Sequence, residues 1–282
     1  MNMLTQIEAL NADLTMLKER EATIGELRVL TIKDLTIPLP DIIDLYELTQ
    51  IYLTYMPLDS DIFTLTDRIV FCNILVNNVK TPIGQLLLSE IAINEISTIA
   101  YVKNQYSSAA LSYFKKHISI KKEHAFRSFN EMCDDIESNV YDDCIIPLEN
   151  TSNGKLMSFY SIIDRLDMKI STICDIENQN GDQITRYALL RRSVTIPENI
   201  LNSYLEFSFT VSEHFGIKDL VNVASLMDLE LYRIDSIPLQ YDESAFVYYP
   251  VLQGTIKNLL MFLVFLKLNL TPYNLIGLYD RI

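Results

Sequence analysis

The chain opens with Leu4, Ile7, Leu10, Leu14 and Leu17 at spacings of three and four, the period of a helix with one apolar face. A second, partly aromatic series, Ile42, Leu45, Leu48, Tyr52 and Tyr55, keeps that period, and Asp61 to Val79 accommodates a third helix. Pro38 and Pro40 break the first from the second, and Pro57 with Asp59 breaks the second from the third. Residues 1–88 are therefore expected to form an all-helical module.

Beyond it the pattern changes. Short apolar runs at Ile96–Val102, Cys144–Leu148, Ile170–Cys174 and Ile184–Leu190 alternate with helical stretches at Ser107–Lys116, Phe126–Ser138 and Lys155–Leu166. Such alternation predicts a single α/β lobe with a mainly parallel sheet over 89–197, closed by a linker at Thr195–Asn199. In 198–282, Leu205, Phe207, Phe209 and Val211 alternate as a half-buried strand. A helix at Ile217–Met227, strands at Leu229–Asp235 and Ala245–Val251, an apolar helix at Thr255–Leu266 and a strand at Tyr273–Tyr279 complete a ferredoxin-like βαββαβ order. The expected class is a multidomain α+β protein.

Composition narrows the function. Apolar residues make up 49% of the 282, enough for real cores, and the net charge of -14 repels phosphate backbones and anionic lipid surfaces. Nucleic acid and membrane are not expected as partners. The acidic first helix does not resemble a signal peptide, and the apolar run Leu259–Leu266 is far shorter than the roughly 20 residues that cross a bilayer. A cytoplasmic protein is expected. Cys72, Cys133, Cys144 and Cys174 are widely spaced, without nearby histidines, so neither a metal site nor a cofactor is anticipated. His117, His124 and His214 are scattered and polar-flanked, which suits surface or capping roles.

One segment carries more. Cys144-Ile-Ile-Pro-Leu-Glu-Asn-Thr151, then Gly154 and a helix running into Leu166-Asp-Met-Lys-Ile170, resembles the prephenate dehydratase signature. Ile184-Thr-Arg-Tyr-Ala-Leu-Leu190 is similar to that family's Thr-Arg-Phe strand. Ile99-Ala-Tyr-Val102 with Tyr106–Phe114 resembles its first strand and helix. Phe215-Gly216, Ile234-Asp-Ser-Ile-Pro238 and Leu275-Ile-Gly-Leu-Tyr279 resemble the ACT domain that follows such dehydratases, and Ile7–Arg20 looks like the first helix of the small chorismate mutase. The chain as a whole resembles the bifunctional chorismate mutase/prephenate dehydratase of phenylalanine biosynthesis.

The resemblance implies a dehydratase site at Glu149, Asn150, Thr151, Thr185 and Arg186, with Thr185 at the position of the proton donor. It implies a phenylalanine site at Gly216, Ile217, Asp235 and Ser236, and a homodimer through the ACT-like part. Read without it, Glu149-Asn150-Thr151 is an ordinary strand-to-loop turn.

Departures from the family are equally specific. Only 177–184 separate the strand at Ile170–Ile176 from Thr185, where the family inserts an entire second lobe, and Lys103-Asn104-Gln105 stands in place of a glycine-rich turn. Residues 1–88 hold six basic residues against twelve acidic ones, a poor grip on dianionic chorismate, so mutase activity is not expected. Three readings follow. The first is a catalytically degenerate relative that dimerises or senses an amino acid. The second is an active dehydratase whose cleft another subunit completes, with prephenate as ligand. The third is a scaffold without ligand.

Overall fold

The computed structural model describes residues 3–33, 37, 39–40, 43–60, 62–87, 95–178, 180–197, 202–212, 215–239 and 242–282. Pro38, Ile42, Asp61, Asn199, His214, the expected boundaries at 88/89 and 197/198, and the side chains of Leu4, Ile7 and Leu10 lie outside that description. The chain divides into two compact units, Met1–Thr81 and Pro82–Ile282.

The first unit contains helices α1 (Met3–Lys33), α2 (Leu45–Tyr55) and α3 (Leu65–Asn78). Asp44 caps α2 by accepting the Glu47 N–H, and Thr64 and Asp67 form a reciprocal capping box on α3. Leu48 and Tyr52 of α2 and Phe71, Cys72 and Leu75 of α3 are fully buried, and the Tyr52 and Phe71 rings lie 5.8 Å apart. Arg68 reaches back over the α2–α3 turn and donates to the carbonyls of Met56, Pro57 and Leu58 at 3.1, 2.8 and 3.4 Å. Its charge is thereby committed to holding the turn.

The second unit begins with a short helix α4 (Ile83–Leu87) and strand β1 (Glu95–Val102). Next come α5 (Gln105–Phe114), β2 (Ser119–Phe126), α6 (Phe129–Glu137), β3 (Asp143–Asn150), the two-residue β4 (Gly154–Lys155) and α7 (Met157–Arg165). Strands β5 (Lys169–Glu177), β6 (Ile184–Arg191) and β7 (Ser203–Thr210) lead to α8 (Ile217–Leu226). The last elements are β8 (Glu230–Leu239), β9 (Asp242–Gly254), α9 (Ile256–Leu268) and β10 (Asn274–Arg281). The ten strands among the described residues belong to one sheet, ordered β2-β1-β3-β6-β5-β10-β7-β9-β8, with β4 beside β3.

The sheet is mixed rather than mainly parallel. β1 runs parallel to β2 and β3, but β6 is antiparallel to both β3 and β5. The reason is the short link between β5 and β6: it allows a hairpin, whereas a parallel return needs a crossover of roughly a dozen residues or more. β2, which the apolar pattern did not predict, is a charged edge strand.

The last four strands follow the order β10-β7-β9-β8 and are antiparallel throughout. Phe207 meets Phe262 of α9 at 5.6 Å, and Phe209 meets Phe215, just before α8, at 5.8 Å. β10 also pairs in parallel with β5, so the strands before and after residue 200 share one sheet. α6 and α7 cover the face carrying Ile146, Leu148, Ala188 and Leu190, while α5 covers the opposite one through Ile145, Tyr187 and Leu189. Among the described residues no helix is long and apolar enough to cross a membrane.

The β5–β10 junction depends on a missing side chain. A Cβ at Gly277 would come within 2.7 Å of both Cβ and the carbonyl oxygen of Ile170. Gly277→Ala should therefore destabilise the fold by about 1–3 kcal/mol, measured as a fall in the urea midpoint. All four thiols are buried. Burial pushes Cys72, Cys133 and Cys144 above the ordinary thiol range, and Cys174 up to about 12. At about pH 8 iodoacetamide should label none of them until the protein is unfolded; mass spectrometry of the native and urea-treated protein checks this.

Candidate functional site

Strand alternation separates the five expected dehydratase residues. Arg186 lies on the face of Ala188 and Leu190, and Thr185 on the face of Tyr187 and Leu189. Thr185 is the register partner of Asn150 and is half-buried. The Asn150 side chain accepts the N–H groups of Ser152 and Asn153 at 3.1 and 2.6 Å, closing a local turn. Thr151 donates its N–H to the Ile184 carbonyl and accepts the Ile184 N–H on its hydroxyl, at 3.0 and 3.3 Å. These polar groups stabilise the ends of β3 and β6.

Glu149 and Arg186 belong to something larger. Arg281 pairs with Asp175, which also holds Arg186 through Nε at 2.9 Å. Arg186 pairs with one oxygen of Glu149 and Arg233 with the other. Arg233 Nε lies 2.8 Å from Asp235, Asp235 lies 3.2 Å from Lys155 Nζ, and Lys155 donates to Glu206 at 2.7 Å. Tyr279 donates to the other Glu206 oxygen at 3.0 Å. Tyr279 and Arg281, at the two ends of this chain of charges, both sit on β10, and the backbone of that strand joins the ends into a ring.

Four carboxylates, Glu149, Asp175, Glu206 and Asp235, balance four cations, Lys155, Arg186, Arg233 and Arg281. The balance is required. Lys155 and Glu206 are only 5% and 2% exposed, and an unpaired ion so buried would be strongly destabilising. Lys155 also stands 4.2 Å from the centroid of the Tyr160 ring. Burial acts to lower the pKa of Arg186, but its hydrogen bonds to Asp175 and the charge of Glu149 outweigh it and hold the guanidinium above its usual range. Burial, and then Glu206, push the Tyr279 and Tyr160 hydroxyls well above the ordinary tyrosine value.

The ring lines a partly open cavity of about 30 Å³. Sites for small-molecule ligands usually span roughly 300–1,000 Å³.

The structure thus gathers Glu149, Arg186 and Asp235, and leaves Asn150, Thr151 and Thr185 in the strand-end turn. Gly216 caps α8 with its N–H donated to Asp219 at 2.9 Å, and Ile217 is the first residue of that helix. Ser236 is exposed, one residue beyond Asp235 on β8. Sequence reasoning missed Lys155, Asp175, Glu206, Arg233, Tyr279 and Arg281. The available signal was Glu206 itself, a charge lying between Leu205 and Phe207 in an otherwise apolar alternation. Among the described residues no group of three His, Cys, Asp or Glu side chains is arranged to hold a metal ion.

No protein-family model matches the sequence, and no curated protein matches it. Solved structures do. Prephenate dehydratase from Streptococcus mutans superimposes with a TM-score of 0.53 at 14% identity, over 66% of this chain and 98% of that one. The two share a fold. Prephenate dehydratase from Arthrobacter aurescens, solved in complex with L-Phe, gives a TM-score of 0.47 at 12% identity over 65% and 90% of the two chains. GqqA, described as a novel type of quorum quenching acylase, gives 0.49 at 16% identity over 64% and 94%.

Lys155→Met leaves Glu206 buried without its cation and should cost about 3–5 kcal/mol. Arg281→Gln, at the exposed end of the chain of charges, should change stability by about 1 kcal/mol or less. Urea denaturation distinguishes the two. Tyr279 and Tyr160 have folded pKa values above the unfolded value of about 10, so above that pH the unfolded chain ionises first and gains. Stability should hold below about pH 10 and fall above it, and Tyr279→Phe should flatten the fall; urea midpoints measured across the alkaline range check the slope.

Proposed function

We propose that this chain is a catalytically degenerate relative of the prephenate dehydratases, acting in phenylalanine biosynthesis as a dimerising or amino-acid-sensing regulatory protein in the cytoplasm. The observation that carries the proposal is the closed ring. Converting prephenate to phenylpyruvate expels a ring hydroxyl as water and a carboxylate as carbon dioxide, and the substrate must be anchored and desolvated while a proton reaches the departing oxygen. Here Glu149 and Arg186, two of the five residues at the matching positions, neutralise each other beside a cavity of about 30 Å³. The Thr185 hydroxyl belongs to the other face of the sheet from Arg186. The dehydratase fold is kept while its cleft is filled.

The same reading extends to the ends of the chain. In 1–81, Arg68 is committed to three carbonyls, and Lys18, Arg20 and Lys80 are exposed, which argues against a chorismate grip. The βαββαβ segment is proposed as an ACT-type domain, with Gly216, Ile217 and Ser236 toward an amino acid and Asp235 drawn into the ring. Its outer strand β8 is a sheet edge that exposes Tyr232 and Ile234, a surface suited to pairing with a second copy. One observation favours an active enzyme instead: Thr185 and Asn150 are register partners at the strand ends, where another subunit could complete a site.

Incubation with prephenate should yield no phenylpyruvate above the uncatalysed rate. Turnover that Thr185→Ala abolishes would overturn the degenerate reading. L-Phenylalanine at millimolar concentration should raise the melting temperature; absence of both a shift and a calorimetric signal would remove the sensing role and leave a scaffold.

A further inference from the structure

The ring also indicates what it would hold if one member left. Arg186 of β6 and Arg233 of β8 aim at a single carboxyl group, one guanidinium on each oxygen of Glu149. Guanidinium groups converging on a carboxylate make a recognition site whose geometry a lysine does not reproduce. Neither depends on Glu149 for its position. Asp175 grips Arg186 at Nε and Nη2, 2.9 and 3.3 Å away, and Asp235 grips Arg233 at Nε and Nη2, 2.8 and 3.0 Å away.

The surrounding walls are aromatic. Tyr204 stacks on Tyr279 with centroids 5.8 Å apart, and Tyr232 meets Tyr204 edge-on at 5.4 Å. Glu149 is the member best placed to leave. It is the last residue but one of β3, after a register shift and just before the Asn150–Asn153 turn.

We propose that Arg186 and Arg233 form a binding site for an aromatic carboxylate, held shut by the protein's own Glu149. The proposal rests on the reading of the ring as a filled cleft, and it names the ligand class and the gate. Exchange of one carboxylate for another leaves the ring neutral, and displacement of Glu149 makes room beside the tyrosine rings. A tethered side chain acts at an effective concentration of about millimolar or higher, so it outcompetes dilute free ligand. The gate opens for a ligand that also gains from the aromatic walls.

Glu149→Gln keeps the shape and removes the competing charge. Titration calorimetry of the full chain with benzoate, using benzyl alcohol as an uncharged control, should give the variant an affinity about tenfold or more above wild type. Adding Arg233→Gln should abolish the gain, and benzyl alcohol should show none. Equal benzoate affinity in wild type and Glu149→Gln overturns the gate. A gain that survives Arg233→Gln, or no gain at all, overturns the site. If Glu149→Gln does not fold, Glu149→Asp retains the charge but falls one methylene short of spanning both guanidiniums. It should show a smaller gain with the same dependence on Arg233, and no gain there overturns the proposal too. Because benzoate affinity is read rather than prephenate turnover, failure here leaves the degenerate reading standing, and turnover by the wild type would leave the affinity comparison intact.

Discussion

The pairing of Lys155 with Glu206, two ions almost out of reach of water, is the constraint that the second unit is built around. Neither could stay charged there alone, and each is tied onward, to Asp235 and Tyr279. Those ties require β4 to face β7 and β8, which fixes the early strands against the late ones. Between β5 and β10 the close approach of Gly277 to Ile170 already restricts the register. With charges from β3, β5 and β6 matched to charges from β8 and β10, a slip leaves several ions unpaired together. The ring therefore specifies register as much as it contributes energy.

The same ring connects fold to chemistry. Overlay with a prephenate dehydratase gives a shared fold at very low identity, and fold alone does not transfer activity. What decides is the arrangement of side chains: Glu149 and Arg186 face each other and are satisfied internally, while Thr185 takes part in a different face of the sheet. Within the ring Asp235 Oδ2 is buried without a hydrogen-bond partner, although the charges of Arg233 and Lys155 lie 2.8 and 3.2 Å from it.

Much of the fold was legible in the sequence. Helices α1 to α3 and the βαββαβ order after residue 200 were expected from apolar periodicity, but Leu14 and Leu17, read as part of an apolar face of the first helix, are exposed, and α9 is buried all round. β2 was not legible, since Lys121, Lys122 and Glu123 face solvent on an edge strand and leave no alternation to see. Strand direction was misread: the short β5–β6 link is visible in the sequence, and it implies the hairpin that corrects the parallel expectation. The ring was hardest to read because its members are scattered from Glu149 to Arg281, and nothing local to Asp175 or Arg233 reveals a partner more than fifty residues away.

β10 lies in the interior of the sheet between β5 and β7, although it is the last strand of this sequence. During synthesis the strands β1 to β6 can pair among themselves and leave β5 as an open edge. That edge finds its neighbour only after α9 and β10 have emerged, so closing the sheet joins residues more than a hundred positions apart. Until then Asp175 lacks Arg281 and Glu206 lacks Tyr279, leaving the half-made sheet both adhesive at its edge and electrically incomplete. Completion of the sheet and neutralisation of its charges are one late event.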